Sequence, residues 1–243
     1  METFFDNFIK NYDINNPRLN YKYYHSYRVM DDMYMLAKSQ KLSPDDIELA
    51  KFIGLFHDIG RFIQYEQVDD FNDILLDHGD IGVAYLKELK ALNHCHISKK
   101  NYQVVYKAIK NHNKFEINNS LNARELLFTK LIRDADKIDI LYALSNKKLK
   151  PKINEEFIPI SENVKKHFFE GKPISKGEIK NKNDRIIVVF SFIFDIQLNT
   201  TFKIIKKNNY YNKIYKRLKN KEIFKPYIEY TNKYINERTD KKC

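Results

Sequence analysis

Two histidines and two aspartates set among apolar neighbours are the residues best suited to chemistry in this chain. His57 and Asp58 are adjacent within "GLFHDIGRF", residues 54–62, between Phe56 and Ile59. Burying such an ionisable pair is costly unless a hydrogen-bond network or a metal ion compensates. His25 lies upstream in "HSYRV" and Asp134 downstream in "IRDADKIDIL". Two imidazoles and two carboxylates make a mixed nitrogen and oxygen set, suited to a divalent transition metal such as Mn, Fe, Zn or Co. Neighbouring residues of a helix point about 100° apart. His57 and Asp58 can therefore both reach one site from a helix end, from different sides.

Helices must position these groups. The chain has 243 residues, 43% of them hydrophobic, with only six Gly and six Pro. That size suits one globular domain with room for an appended subdomain. The scarcity of helix breakers favours an all-α fold. Residues 22–38 carry Tyr27, Met30, Tyr34 and Ala37 at helical spacing. The next helix starts at Ser43 as N-cap with Pro44 behind it. It turns Ile47, Ala50, Ile53 and Leu55 inward and is expected to end at Gly60. Residues 64–77 read as an Asp- and Asn-rich loop, and 78–90 as a short helix. "SKKNYQVVYKAIKNHN" reads as a helix capped by Ser98, with Val104, Val105, Ala108 and Ile109 inward. A long helix covers 122–144, and 151–181 is mixed. Further helices are expected in "DRIIVVFSFIFDIQL", "YYNKIYKRLKN" and "IFKPYIEYTNKYINER". The first of these has the β-branched and aromatic content of a buried strand as well.

The segments "HSYRV" (25–29), "LFHDIGRF" (55–62) and "IRDADKIDIL" (132–141) together resemble the HD-domain superfamily of metal-dependent phosphohydrolases. The resemblance runs from about residue 20 to 145 and implies an α-helical bundle, here with additional C-terminal helices. It implies His25, His57, Asp58 and Asp134 as metal ligands. A subset of the superfamily has the order H…HD…H…H…D, and this chain has it, with His78 and His112 supplying the extra positions. By that likeness a second metal is held by His78 and His112, and Asp58 bridges both ions. The expected cofactor is one or two divalent transition metals per chain. The expected reaction is cleavage of a phosphate ester of a nucleotide or related small molecule by metal-activated water. Asp58 and Arg61 are the expected catalytic residues, Arg61 as a bidentate phosphate contact. Two alternatives share the resemblance: a mixed-valent di-iron oxygenase, and a non-catalytic module binding a nucleotide or nucleic acid. The expected domains are 1–150, with the metal site, and 151–243, a helical extension packed on the same domain.

Other groups have plainer readings. Arg28 and Lys137 suit ion pairs to the ligand carboxylates, and Lys114 follows His112. His94, Cys95 and His96 lack a second Cys/His pair nearby and read as a surface turn. Tyr211, Ile214, Tyr215 and Leu218 read as a core stripe. The formal charge is +11, but the lysines look scattered along the chain, which argues against nucleic acid as a partner. A small phosphate-bearing anion is the expected partner, and a homodimer is compatible with the composition. Two cysteines cannot build a disulfide scaffold, and no apolar run is long enough to span a bilayer. The expectation is a cytoplasmic protein without a membrane partner.

Overall fold

The structure, a computed structural model, describes residues 1–146 and 158–240. Among the described residues it is all-α, without a strand. Of the expected mixed segment 151–181, residues 151–157 lie outside the described residues. The chain forms two compact units, Met1–Asp136 and Lys137–Cys243. The division falls inside a helix, earlier than the boundary at 150 that the sequence suggests.

The first unit begins with α1 (Glu2–Ile9), which the sequence reading does not anticipate; it buries Phe5, Phe8 and Ile9. Then come α2 (Pro17–Ser39), α3 (Pro44–Phe56), α4 (Ile59–Val68), α5 (His78–Glu88), α6 (Ala91–His94) and α7 (Tyr102–Asn111). The long helix α8 (Ala123–Ser145) contains the division between the units. α2 packs on α3, α4 on α5, and α5 on α7. The α2–α3 approach depends on Gly54, where a Cβ would stand 2.8 Å from the Met30 Cα. Ser43 caps α3 as expected, its side chain accepting from the Asp46 N–H at 3.2 Å.

Two expectations are corrected here. Tyr34 faces solvent, and Met33 takes its place in the core. Large apolar side chains on several sides of α2 hide its true phase. Gly60 does not end a helix. α3 ends at Phe56, and Gly60 lies inside α4, where a Cβ would overlap the His78 carbonyl. The glycine serves the close crossing of α4 and α5.

The second unit contains α9 (Glu162–Phe169), α10 (Lys182–Ser191), α11 (Asn199–Asn208), α12 (Tyr210–Lys216) and α13 (Lys221–Thr239). α10 packs on α9 and α13, and α11 and α12 pack on α13. The apolar run after residue 184 is a helix followed by a 3-10 turn, Phe192–Asp195. A capping box favours helix over strand: Asn181 accepts from the Asp184 N–H at 3.0 Å, and Asp184 accepts from the Asn181 N–H at 3.2 Å. Tyr211, Ile214 and Leu218 are buried as the stripe predicts, and Tyr215 is only half-buried.

Candidate metal centre

The centre is built at a helix break. α3 ends before His57, and Asp58 takes φ −103°, ψ 13° at the start of α4. An aspartate at an N-cap usually accepts from the next backbone N–H groups. Asp58 makes no such side-chain cap; the Arg61 N–H bonds instead to its carbonyl, at 2.9 Å. The carboxylate is thereby free to turn inward, where it is nearly fully buried.

Each oxygen of Asp58 meets a different pair of imidazoles. Oδ2 lies 3.3 Å from His25 Nε2 and 3.6 Å from His57 Nε2. Oδ1 lies 3.1 Å from His78 Nε2 and 3.5 Å from His112 Nε2. The paired Nε2 atoms are 3.2 Å apart for His25 and His57, and 2.9 Å apart for His78 and His112. Asp136 completes the first group, its Oδ1 3.2 Å from His25 Nε2 and 3.9 Å from His57 Nε2.

Local folding fixes which nitrogen each ring presents. His57 Nδ1 bonds to the Gly54 carbonyl at 2.7 Å, and His112 Nδ1 to the Ile109 carbonyl at 2.6 Å. A carbonyl only accepts, so Nδ1 carries the proton and Nε2 presents a lone pair. His78 is the first residue of α5, behind the true cap Asp77, and its Nδ1 is 2.5 Å from Asp73 Oδ1. Arg133, buried on α8, donates to the carbonyls of Asn111, His112 and Lys114, holding the turn that carries His112.

Electrostatics agree. Burial drives the His57 pKa down to about 3, and burial lowers His112 as well. Both rings are neutral at physiological pH, the form that binds a metal. Burial alone would raise the Asp58 carboxyl, but Lys22 and His57 beside it outweigh that and hold it well below the usual range. Asp136 is likewise held down, burial being outweighed by His25. Converging lone pairs and carboxylates repel one another unless a cation lies among them. His25, His57 and Asp136, and His57, Asp58 and His112, bring ligand atoms within 4.8 Å and could each hold a metal ion. The donor set fits a divalent transition metal.

The structure thus gathers His25, His57, Asp58, His78 and His112, but not Asp134. That residue is fully buried two positions before Asp136, and belongs to neither group able to hold an ion. Residues i and i+2 of a helix diverge by about 200°, so only one of the two can face His25. Asp136 is the one that does.

Arg61 lies between the loop after α4 and Asp58. Its Nη1 donates to Asp73 at 2.8 Å, to Gln64 at 2.8 Å and to the Phe71 carbonyl at 3.1 Å, and its Nη2 to Asp73 at 3.3 Å. These bonds tie down the 69–77 loop, and the Arg61 Nε lies 3.8 Å from Asp58 Oδ1. A second cation at the centre, missed in the sequence, is Lys22, with Nζ 2.5 Å from Asp58 Oδ2. It sits three residues before His25, on the same helix face. The Lys22 side chain is 15% exposed and that of Asp136 20%, against 3% or less for the other groups of the centre. The centre therefore opens on the Lys22 and Asp136 side. Lys114 pairs with Asp77 and Asp80, Arg28 lies over the Tyr21 ring, and Lys137 pairs with Asp195. His94 stacks on Phe4 at the end of α6, and neither metal-capable group includes it, Cys95 or His96.

A family model described as HD domain matches residues 23–141. Comparisons with curated proteins and with solved structures find no match. No helix among the described residues is long and apolar enough to cross a membrane.

Proposed function

Taking as premise that residues 23–141 are an HD domain, we propose that this chain is a metal-dependent phosphohydrolase with a two-metal centre. One observation carries the reading: the Asp58 carboxylate is shared between two histidine pairs, one oxygen to each. His25, His57 and Asp136 with Asp58 Oδ2 would hold one ion, and His78 and His112 with Asp58 Oδ1 the other. Ions bound there supply Lewis-acid charge for phosphoryl oxygens and lower the pKa of water. The protein's own part is orientation. Backbone carbonyls fix His57 and His112, Asp73 fixes His78, and the half-open side admits a phosphate ester. Lys22 is placed to meet the phosphate there, because its ammonium is a compact charge on a flexible stem. The substrate proposed is a nucleotide or a related small phosphate ester.

The test is phosphate release from a panel of nucleoside phosphates and cyclic dinucleotides, with Mn or ferrous iron, under anaerobic conditions. Turnover that chelation abolishes is expected. Turnover untouched by chelation would sink the metal mechanism. Oxygen uptake by the iron form, with no phosphate released, would favour di-iron oxygenase chemistry on the same ligands.

The His78 ring has a loop carboxylate, Asp73, behind it, so its hold on metal depends on Asp73. The Asp73→Asn variant is expected to weaken metal binding at the His78 and His112 pair by roughly 10- to 100-fold, as loss of a carboxylate behind a ligand histidine does. Metal titration should then resolve one tight and one weakened site. Two sites of unchanged affinity would show that Asp73 does not support His78.

A further inference from the structure

The positive charge of the chain is segregated. Met1–Asp136 carries 18 Lys and Arg against 20 Asp and Glu, whereas Lys137–Cys243 carries 25 against 12. The formal +11 thus joins a first unit of −2 to a second of +13. Charge asymmetry of this kind between parts of a chain points to an anionic macromolecule. Within the second unit it concentrates again: residues 203–225 contain nine Lys and Arg and a single acid, Glu222.

The structure turns what looked like scatter into ordered faces. On α11, Lys203 and Lys207 are exposed four residues apart, while Phe202 and Ile205 are buried. On α12, Lys213 and Lys216 are exposed three apart, while Tyr211 and Ile214 are buried. On α13, Lys221 and Lys225 are exposed four apart, while Phe224 and Ile228 are buried. α11 and α12 both pack on α13, so the three basic faces belong to neighbouring helices. Like charges at such spacings destabilise a helix by a few tenths of a kcal/mol per pair. Three successive helices carry that cost.

We propose that the outward faces of α11, α12 and the first turns of α13 form a docking surface for the phosphodiester backbone of a nucleic acid. Lysines contacting phosphates position a nucleic acid without reading its sequence. Tyr210 and Tyr211 are buried and Tyr215 is half-buried, so no fully exposed ring on α11 or α12 is available to stack bases as single-strand binders do. The surface therefore suits a duplex backbone. A membrane surface fits less well. Peripheral membrane helices pair cations with an apolar face that enters the lipid. The one large apolar residue exposed among the described residues of this unit is Phe169, on α9. The proposal is independent of the metal chemistry: it concerns the second unit alone and is read by binding.

The experiment is fluorescence anisotropy of the full chain with labelled RNA and DNA duplexes of mixed sequence, from about 50 to about 200 mM salt. One variant combines Lys203→Ala, Lys207→Ala, Lys213→Ala and Lys216→Ala. A control combines Lys38→Ala, Lys41→Ala, Lys99→Ala and Lys100→Ala, four exposed lysines of the first unit. Wild type and control are expected to bind alike, with affinity falling steeply with salt, by about 0.9 logarithmic units per unit of log salt for each phosphate contact. The second-unit variant is expected to bind at least about tenfold more weakly, with a shallower slope. Thermal melts should coincide, because all eight side chains are exposed. Absence of duplex binding by the wild type at low salt would overturn the proposal. So would equal losses in variant and control, or a variant that binds as wild type does. Binding to phosphatidylserine vesicles without duplex binding would overturn it in favour of a lipid surface.

Discussion

Replacing Asp58 with alanine is expected to empty the centre of metal and lower phosphohydrolase turnover by at least about 1,000-fold, some 4 kcal/mol of transition-state stabilisation. Among the described residues of the centre, no other side chain has this reach. Its two oxygens lie within 3.6 Å of four imidazole nitrogens, so one truncation removes an anionic ligand from both histidine groups at once. The same change leaves the Lys22 ammonium without its partner at 2.5 Å, beside lone pairs that are no longer balanced by that carboxylate. Asp58→Asn separates the two effects. It keeps the shape, removes the charge and turns one oxygen into a donor, which cannot ligate a cation. Elemental analysis of the purified variants, with phosphate release on the same samples, makes the check. Two metals retained in Asp58→Ala would show that the shared carboxylate does not hold the centre together.

Much of this centre is legible without coordinates. His57–Asp58 stands out because an ionisable pair inside an apolar run demands compensation. His25, His78 and His112 follow in the order of the subset that the sequence resembles, and the structure brings all five residues together. What resists reading is the phase of the helices. α8 carries Arg133, Asp134, Lys137 and Asp139 all in buried positions, together with Leu131, Ile132, Ala135 and Ile138. A helix buried around its circumference shows no amphipathic stripe from which to infer its inward face. The same difficulty exchanges Tyr34 for Met33 on α2. Lys22 and Asp73 are missed for another reason. Each acts on a residue whose importance is visible, but a lysine in a basic chain and an aspartate in an acidic loop carry no local signal. Spacing offered one clue, since Lys22 lies on the His25 face. Gly60 shows the converse error: a residue that often stops helices is here required by the approach of the His78 backbone.

The choice between the two acids of "RDADKID" can be made decisive. Asp136→Asn is expected to release metal from the His25 and His57 group and to reduce turnover by roughly 100-fold or more, above the 10- to 100-fold typical of a group that only supports a ligand. Asp134→Asn is expected to keep the full metal content per folded molecule. Any cost there falls on stability, because a fully buried polar side chain is altered without its charge being needed by an ion. The physical difference is one of direction along a single helix. Asp136 Oδ1 stands 3.2 Å from His25 Nε2, and a residue two positions earlier projects about 200° away. Asn is nearly isosteric with Asp, so neither replacement changes packing much, and a difference in metal content reports ligation rather than collapse. Metal analysis beside a thermal melt of each variant distinguishes the outcomes. Loss of metal in Asp134→Asn with full retention in Asp136→Asn would reverse the assignment, restoring the ligand that the sequence alone suggests. Loss in both would mean that α8 must be intact for the centre to form at all. The expected result, loss in Asp136→Asn alone, would fix which face of α8 meets the centre.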